Sequence, residues 1–294
     1  MKRISSAENY LLISHVLAMV FGLAGIILVL PNPDFLAKLV EFEWGPTIFG
    51  WSMAGGGVAY MLLATAAVSL YAYRTLGVWH WLSFMVPAIS LSLGSELLGT
   101  STGFPFGEYR YLSGLGYKIA GLVPFTIPLS WFYLGFSAYI IALAGLKRLE
   151  INNWFCQLGA IVCGSLCLTS WDFVLDPAMS QAPIPFWVWE QPGAFFGMPY
   201  QNFVGWMGTG IVFMIVATLL WKIKPLTLPT NDLKLPLAIY LANFVFAAVL
   251  SLAAGFYIPV LLGILLGVLP LAVLYWMATR QDFTAVNRLA PTTN

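Results

Sequence analysis

The sequence predicts an all-α, polytopic transmembrane bundle of about eight helices with both termini cytoplasmic. Three observations carry that expectation. Of 294 residues, 60% are hydrophobic and 9% charged, with a mean hydropathy of +0.85, where a soluble domain carries roughly 25% charge. Apolar runs of membrane length recur along the chain. Lysine and arginine sort to alternate ends of those runs.

Lys2 and Arg3 precede the first apolar run as they would in a signal peptide. The run itself, 11–30, has the length of a full crossing and no small-residue cleavage site follows it, so it reads as the first span. Further spans are expected at 48–73, 79–98, 119–146, 154–175 and 203–221. Residues 235–277 carry no charge and are too long for one crossing. A turn over 255–259, with Gly255 and Pro259, divides them into 235–254 and 256–277. Eight crossings make one transmembrane domain over 1–280, followed by a polar tail over 281–294.

Charge tests the count independently. With a cytoplasmic amino terminus, eight spans place ten cations inside, namely Lys2, Arg3, Arg74, Lys147, Arg148, Lys222, Lys224, Lys234, Arg280 and Arg288. Only Lys38, Arg110 and Lys118 fall outside, and seven spans would put Arg280 and Arg288 on the wrong side. Acids sort the opposite way. Asp34, Glu41, Glu43, Glu96, Glu108, Asp172, Asp176 and Glu190 lie at or beyond the outer ends, although acids contribute little to orientation.

Two outer connections stand apart. SELLGTSTGFPFGEYRYLSGLG (95–116) joins spans three and four. WDFVLDPAMSQAPIPFWVWEQPGAFFGMPYQNFVGW (171–206) joins five and six and holds ten aromatics in 36 residues, well above the 16% of the whole chain. An interfacial aromatic belt accounts for Trp187 and Trp189 but not for the acids among them.

Asp172 and Asp176 are four residues apart and share a helix face. Pro177 disfavours helix at Asp176, so the fifth span is expected to end there. Glu96 takes the same position on span three. At a helix carboxyl end the macrodipole, partial burial and mutual repulsion all oppose ionisation, which is what a general acid needs. A single such acid could instead snorkel to water or pair with Arg110 or Lys118. The pair, the glutamate and the aromatic wall together favour function.

The inventory narrows the chemistry. Three residues after Glu96 stands Gly99, so the Glu-x-x-His pairs of a di-iron site are missing. His15 and His80 are the only histidines, and Cys156, Cys163 and Cys167 read as buried small hydrophobes, so no metal site is expected. There is no phosphate-binding glycine loop, no GxSxG and no basic cluster suited to nucleic acid. Acids and aromatics without a cofactor suit protonation of an alkene. The acid makes a carbocation, aromatic faces stabilise it, and water captures it or a proton leaves. The substrate is then a lipid-soluble polyene or isoprenoid reached from the bilayer.

ELLGTSTGFPFGEYRY and LGYKIAGLVPFTIPLSW (96–111 and 115–131), with WDFVLDPAM and WVWEQPGAFFGMPYQNFVGW (171–179 and 187–206), resemble the CruF-type membrane carotenoid hydratases. Relatives of that family include the archaeal bisanhydrobacterioruberin hydratases. The resemblance covers roughly 80–210, and the outer pairs of helices match only in character. It implies cofactor-free addition of water to the terminal double bond of an acyclic end group, as in lycopene or γ-carotene, to give a tertiary alcohol. It also implies a carotenoid dissolved in a bacterial membrane as the partner, with a glycosyltransferase as a neighbouring pathway enzyme.

Combining both lines, Asp172 or Asp176 is the expected proton donor and Glu96 or Glu108 the group that orients water. Phe104, Phe106, Tyr109, Tyr111, Trp131, Trp171 and Trp206 are candidate pocket walls. Asn202 either bonds water or product, or caps span six. A cyclase or isomerase would use the same acids without capturing water. A proton-linked transporter would use them as a relay, but no internal repeat is visible. A non-catalytic pigment-binding subunit would bind carotenoid and leave it unchanged.

Overall fold

A computed structural model describes residues 5–230 and 232–280. Lys2, Arg3, Arg288 and the tail expected over 281–294 lie outside the described residues. The fold is a helix bundle. In chain order it runs α1 (Ser6–Ala24), α2 (Pro33–Glu41), α3 (Gly45–Thr102), α4 (Thr126–Leu146), α5 (Asn153–Ser180), α6 (Tyr200–Trp221), α7 (Lys234–Ala253), α8 (Tyr257–Gly263) and α9 (Leu269–Thr279). A π-turn over Gly25–Val29 continues α1, and another over Ile264–Val268 joins α8 to α9.

Among the described residues, seven helical stretches are long and apolar enough to cross a membrane. One of them, Gly55–Thr102, has 48 residues. At 1.5 Å per residue it would reach ~72 Å, over twice the ~30 Å hydrocarbon core. It does not run straight. Gly77, at φ 81° and ψ 168°, breaks the helix, and these angles are essentially closed to residues with a Cβ. Counted as two limbs, α3 supplies two crossings, and the expected eight are present.

The limbs alternate in direction, as the contacts at their ends establish. Arg74, at the close of the first limb of α3, meets Glu8 at the start of α1 and Asp232 just before α7. His80, at the start of the second limb, reaches the Lys224 carbonyl beyond α6. Arg148 after α4 meets the Ala278 carbonyl at the end of α9. This basic end of the bundle carries Arg74, Lys147, Arg148, Lys222, Lys224, Lys234 and Arg280, the described cations that the sequence sorted together.

α4 is the central helix. Of its apolar window 89% is buried, against 11% for the first span, and it packs on α3, α5, α7 and α9. A helix apolar on every side can face either protein or lipid, and it is the neighbours on all sides of α4 that enclose it. α1 begins on a capping box in which Ser5 and Glu8 bond each other's backbone N–H groups.

Three boundaries differ from the sequence expectation. The stretch from 119 is not yet helix, because Lys118–Ile119 and Val123–Pro124 (β2 and β3) pair as a small antiparallel ribbon before α4 begins. α5 continues through Pro177 to Ser180. The proline removes only one N–H from the ladder, the one that would reach the Phe173 carbonyl, and the helix runs on for a further turn in which Ser180 Oγ donates to the Asp176 carbonyl at 2.8 Å. Between the first two expected spans lies a short helix, α2, which opens on an Asn32 cap and Pro33. Pro259 lies within α8 rather than in the turn, where Gly255 alone takes the left-handed conformation.

The end opposite the basic one carries the two distinctive connections, and they pair. Tyr109–Tyr111 (β1) and Trp187–Trp189 (β4) form an antiparallel ribbon with Tyr109 opposite Trp189 and Tyr111 opposite Trp187. Alternation along a strand sends all four rings to one face, toward the bundle. Arg110, on the other face, pairs with Glu190 in the exposed rim.

Candidate active site

Beneath that ribbon lies a cavity of about 50 Å³ whose lining includes Glu96, Asp172 and Asp176. A water needs ~10–15 Å³ by this measure, so a few fit. α3 delivers Glu96, two successive turns of α5 deliver Asp172 and Asp176, and α6 delivers Asn202 and Trp206. The three acids are nearly inaccessible, at 2–4% exposure.

Each acid has different partners. Glu96 receives three donors: the hydroxyls of Tyr109 and Tyr111 on Oε2, the latter at 2.9 Å, and Trp131 Nε1 on Oε1 at 3.0 Å. Asp176 is held by Trp189 Nε1 at 2.8 Å and Ser180 Oγ at 3.3 Å on Oδ1, with Trp187 Nε1 at 3.2 Å on Oδ2. Asp172 accepts only from Asn202 Nδ2, at 2.8 Å on Oδ2. Its Oδ1 has no hydrogen-bond partner among the described residues, yet it is not a sealed orphan, so it opens onto the cavity. Asp172 therefore presents a free carboxyl oxygen to whatever enters.

Aromatic rings close the remaining sides. Trp131 stacks on Trp206 at 3.9 Å between centroids and 15° between planes, and Trp171 meets Trp206 at 6.0 Å. Phe106 stands edge-on to Tyr109 at 6.1 Å, and Tyr109 meets Trp189 at 5.2 Å. Two glycines admit the Phe106 ring. A Cβ on Gly99 would lie 2.6 Å from it and one on Gly205 2.4 Å, so Phe106 wedges between α3 and α6 only because both positions lack side chains.

The expected site residues separate accordingly. Glu96, Asp172, Asp176, Phe106, Tyr109, Tyr111, Trp171, Asn202 and Trp206 line the cavity together. Trp131 stands behind it, holding Glu96. Glu108 is exposed and outside the lining, because alternation in β1 turns Tyr109 and Tyr111 inward and their neighbours outward. Phe104 is 64% exposed and likewise no wall. Asn202 sits within the first turn of α6, behind an N-cap at Pro199, and spends its amide on Asp172 rather than on a cap. Trp187 and Trp189, assigned to an interfacial belt from sequence, instead bind Asp176. Their spacing of two beside an acid-bearing segment was the available signal. Tyr60, Leu115 and Met179 also line the cavity and carried no such signal.

Other acids at this end serve no common site. Asp34, Glu41 and Glu43 are exposed, and Glu190 is paired with Arg110. Lys118 donates to the Tyr111 carbonyl at 2.6 Å rather than neutralising a buried acid. Among the described residues no group of three His, Cys, Asp or Glu is placed to hold a metal ion. His15 is engaged by the Tyr60 carbonyl and Asn243.

Comparison with known proteins bears on these same stretches. The profile of the family described as "Carotenoid biosynthesis protein" matches residues 56–270. A bisanhydrobacterioruberin hydratase of Haloarcula japonica is 36% identical over 125 residues. That match covers 42% of this chain and 40% of the relative, so the chain spans about two fifths of the relative's length. No solved structure matches.

Proposed function

The chain belongs to the carotenoid biosynthesis protein family, and from that premise we propose that it hydrates the terminal double bond of an acyclic carotenoid end group, giving a tertiary alcohol. The observation that carries this reading is the cavity itself, in which three buried carboxyls and an aromatic wall surround space for a few waters.

In the proposed reaction Asp172 gives its proton to the less substituted alkene carbon. The π pair becomes the new C–H bond, and the positive charge falls on the tertiary carbon. The rings of Trp171, Trp206 and Phe106 face that charge, each such contact contributing about 0.5–2 kcal/mol. Water adds at the tertiary carbon, and Glu96 receives the proton that the water sheds. Transfer of that proton back to Asp172 through cavity water closes the cycle, with one water added and no electrons exchanged. Asp172 is favoured over Asp176 as donor because one of its oxygens is free to carry and release a proton, whereas N–H and O–H donors on both oxygens suit a carboxylate, which disfavours Asp176 as the acid and fits Glu96 as the base. Glu108, exposed at the rim, takes no part. The positive-inside bias orients the basic end to the cytoplasm, so the cavity lies near the opposite surface.

The test is expression in a lycopene-producing host with Asp172→Asn and Asp176→Asn variants. Asp172→Asn lowers hydration by about 10²–10⁴-fold, the usual weight of a general acid, while the protein still accumulates in the membrane. In labelled water the product gains one water whose oxygen carries the label. Label arriving from dioxygen, a product of unchanged mass, or an undiminished Asp172→Asn variant would each overturn the reading.

A further inference from the structure

A second cavity, about 280 Å³, adjoins the acid cavity and shares Tyr60, Leu115 and Met179 with it. No Asp, Glu, Lys or Arg lines it. Phe49, Met53, Gly56 and Tyr60 follow one another at helical spacing along α3, so a single stripe leads from the outer part of this groove to the acids. Its mouth is framed by Phe21 of α1, Phe35 of α2 and Ile48 of α3, which are 54%, 48% and 46% exposed. In a bundle of membrane spans such exposed apolar residues face lipid rather than water.

We propose that this groove is the binding site for the linear isoprenoid chain behind the reacting end group, and that the substrate enters it sideways from the bilayer between α1, α2 and α3. The inference rests on the hydratase reading and extends it by naming what the enzyme holds beyond the reacting alkene. The two cavities differ as the two parts of such a molecule differ. The small one carries the acids and admits water, and the larger one is uncharged and open to lipid. A charged headgroup finds no partner in the groove. A hydrocarbon chain moving from lipid into it never crosses water, so little desolvation opposes entry.

The geometry supplies clean variants. A Cβ at Gly56 meets nothing within 4 Å, although Gly56 lines the groove, so Gly56→Leu fills the groove without a backbone clash. Gly50, on the same helix and equally open, is not part of the lining, and Gly50→Leu is the control. Purified wild type, Gly56→Leu and Gly50→Leu are loaded with lycopene, passed through gel filtration and read by carotenoid absorption. Gly56→Leu is expected to lose about tenfold or more of its lycopene affinity, as overfilling a packed site does, with Gly50→Leu like wild type. Hydration of myrcene, a short isoprenoid with the same trisubstituted alkene, is expected to survive in Gly56→Leu. Lycopene binding that is undiminished in Gly56→Leu overturns the groove. So does a loss of myrcene and lycopene conversion in equal measure, which would place the damage at the acids. Groove-dependent binding in a wild type that hydrates nothing overturns the reaction alone and leaves the groove standing.

Discussion

Asp172 and Asp176 stand one turn apart on a single helix, yet their neighbours divide the work between them. Asp176 is fixed by two indoles and a serine, whereas Asp172 has one amide partner and a free oxygen. Glu96 is gripped by two phenols and an indole. Those phenols lie outside the spanning helices. Burial, and after it the neighbouring Glu96, hold both well above the usual tyrosine range. A raised pKa keeps the neutral O–H form to higher pH, so both donors to Glu96 persist through the alkaline range. The pH–rate profile is therefore expected to show no limb from these phenols near their ordinary value of ~10. Tyr109→Phe and Tyr111→Phe each remove one hydrogen bond from Glu96. Each should lower kcat by about tenfold, within the range of a single bond, and leave the shape of the profile unchanged. A wild-type limb near 10 that vanishes in either variant would show that the phenol ionises in use. That Tyr109, Tyr111 and the three acids come together was legible in the sequence, although Glu96, Asp172 and Asp176 lie one to two turns inside α3 and α5 rather than at their expected carboxyl ends, because α3 runs on to Thr102 and α5 to Ser180. The tryptophans that bind Asp176 were not, because an indole near a membrane surface has a common alternative explanation, and only pairing with β1 aims it.

α3 contains the fold's main departure from regular geometry. Its two limbs reverse direction at Gly77 with φ 81° and ψ 168°, and Trp79 and His80 immediately bond carbonyls at the end of α6. Gly77→Ala puts a Cβ into a region open essentially to glycine alone, at a cost of about 1–3 kcal/mol, although no atom lies within 4 Å of that Cβ. Thermal unfolding in detergent should report a lowered Tm. An unchanged Tm would mean that the reversal tolerates a side chain and that glycine here is not required. The gap between spans two and three was readable from charge, with Arg74 at the end of one apolar run. Pro177 misled because its local preference is real but its loss is a single hydrogen bond, which the packing of α5 against α4, α6 and α7 outweighs. The late start of α4 was hidden for a similar reason, since the residues of the β2–β3 ribbon after Lys118 are as apolar as a helix.

At the scale of the bundle, crossing number and relative direction were legible because a bilayer leaves a chain few options. Backbone must be satisfied within each helix, and cations must stay at one end. What sequence did not give was the meeting of two loops about eighty residues apart (β1 with β4), a long-range pairing on which the acid cavity depends. The opposite end is tied by different means. Glu8, fully buried, receives Arg74 Nε at 2.6 Å and Nη2 at 2.9 Å, while Arg74 Nη1 reaches Asp232 at 2.9 Å. One guanidinium thus joins the starts of α1 and α7 to the end of the first limb of α3. Removing it leaves a buried carboxylate unpaired, which costs about 3–5 kcal/mol, whereas removing the whole cluster can be nearly neutral. Arg74→Met alone should therefore lower the unfolding temperature sharply. The triple variant Glu8→Gln, Arg74→Met, Asp232→Asn should recover most of that loss, because no charge is then stranded. If the single and triple variants unfold alike, the triad contributes through the stem and shape of Arg74 rather than through charge. Lycopene conversion measured below the unfolding range should be unaltered in both, since the cluster and the acid cavity occupy opposite ends of the bundle and share no residue.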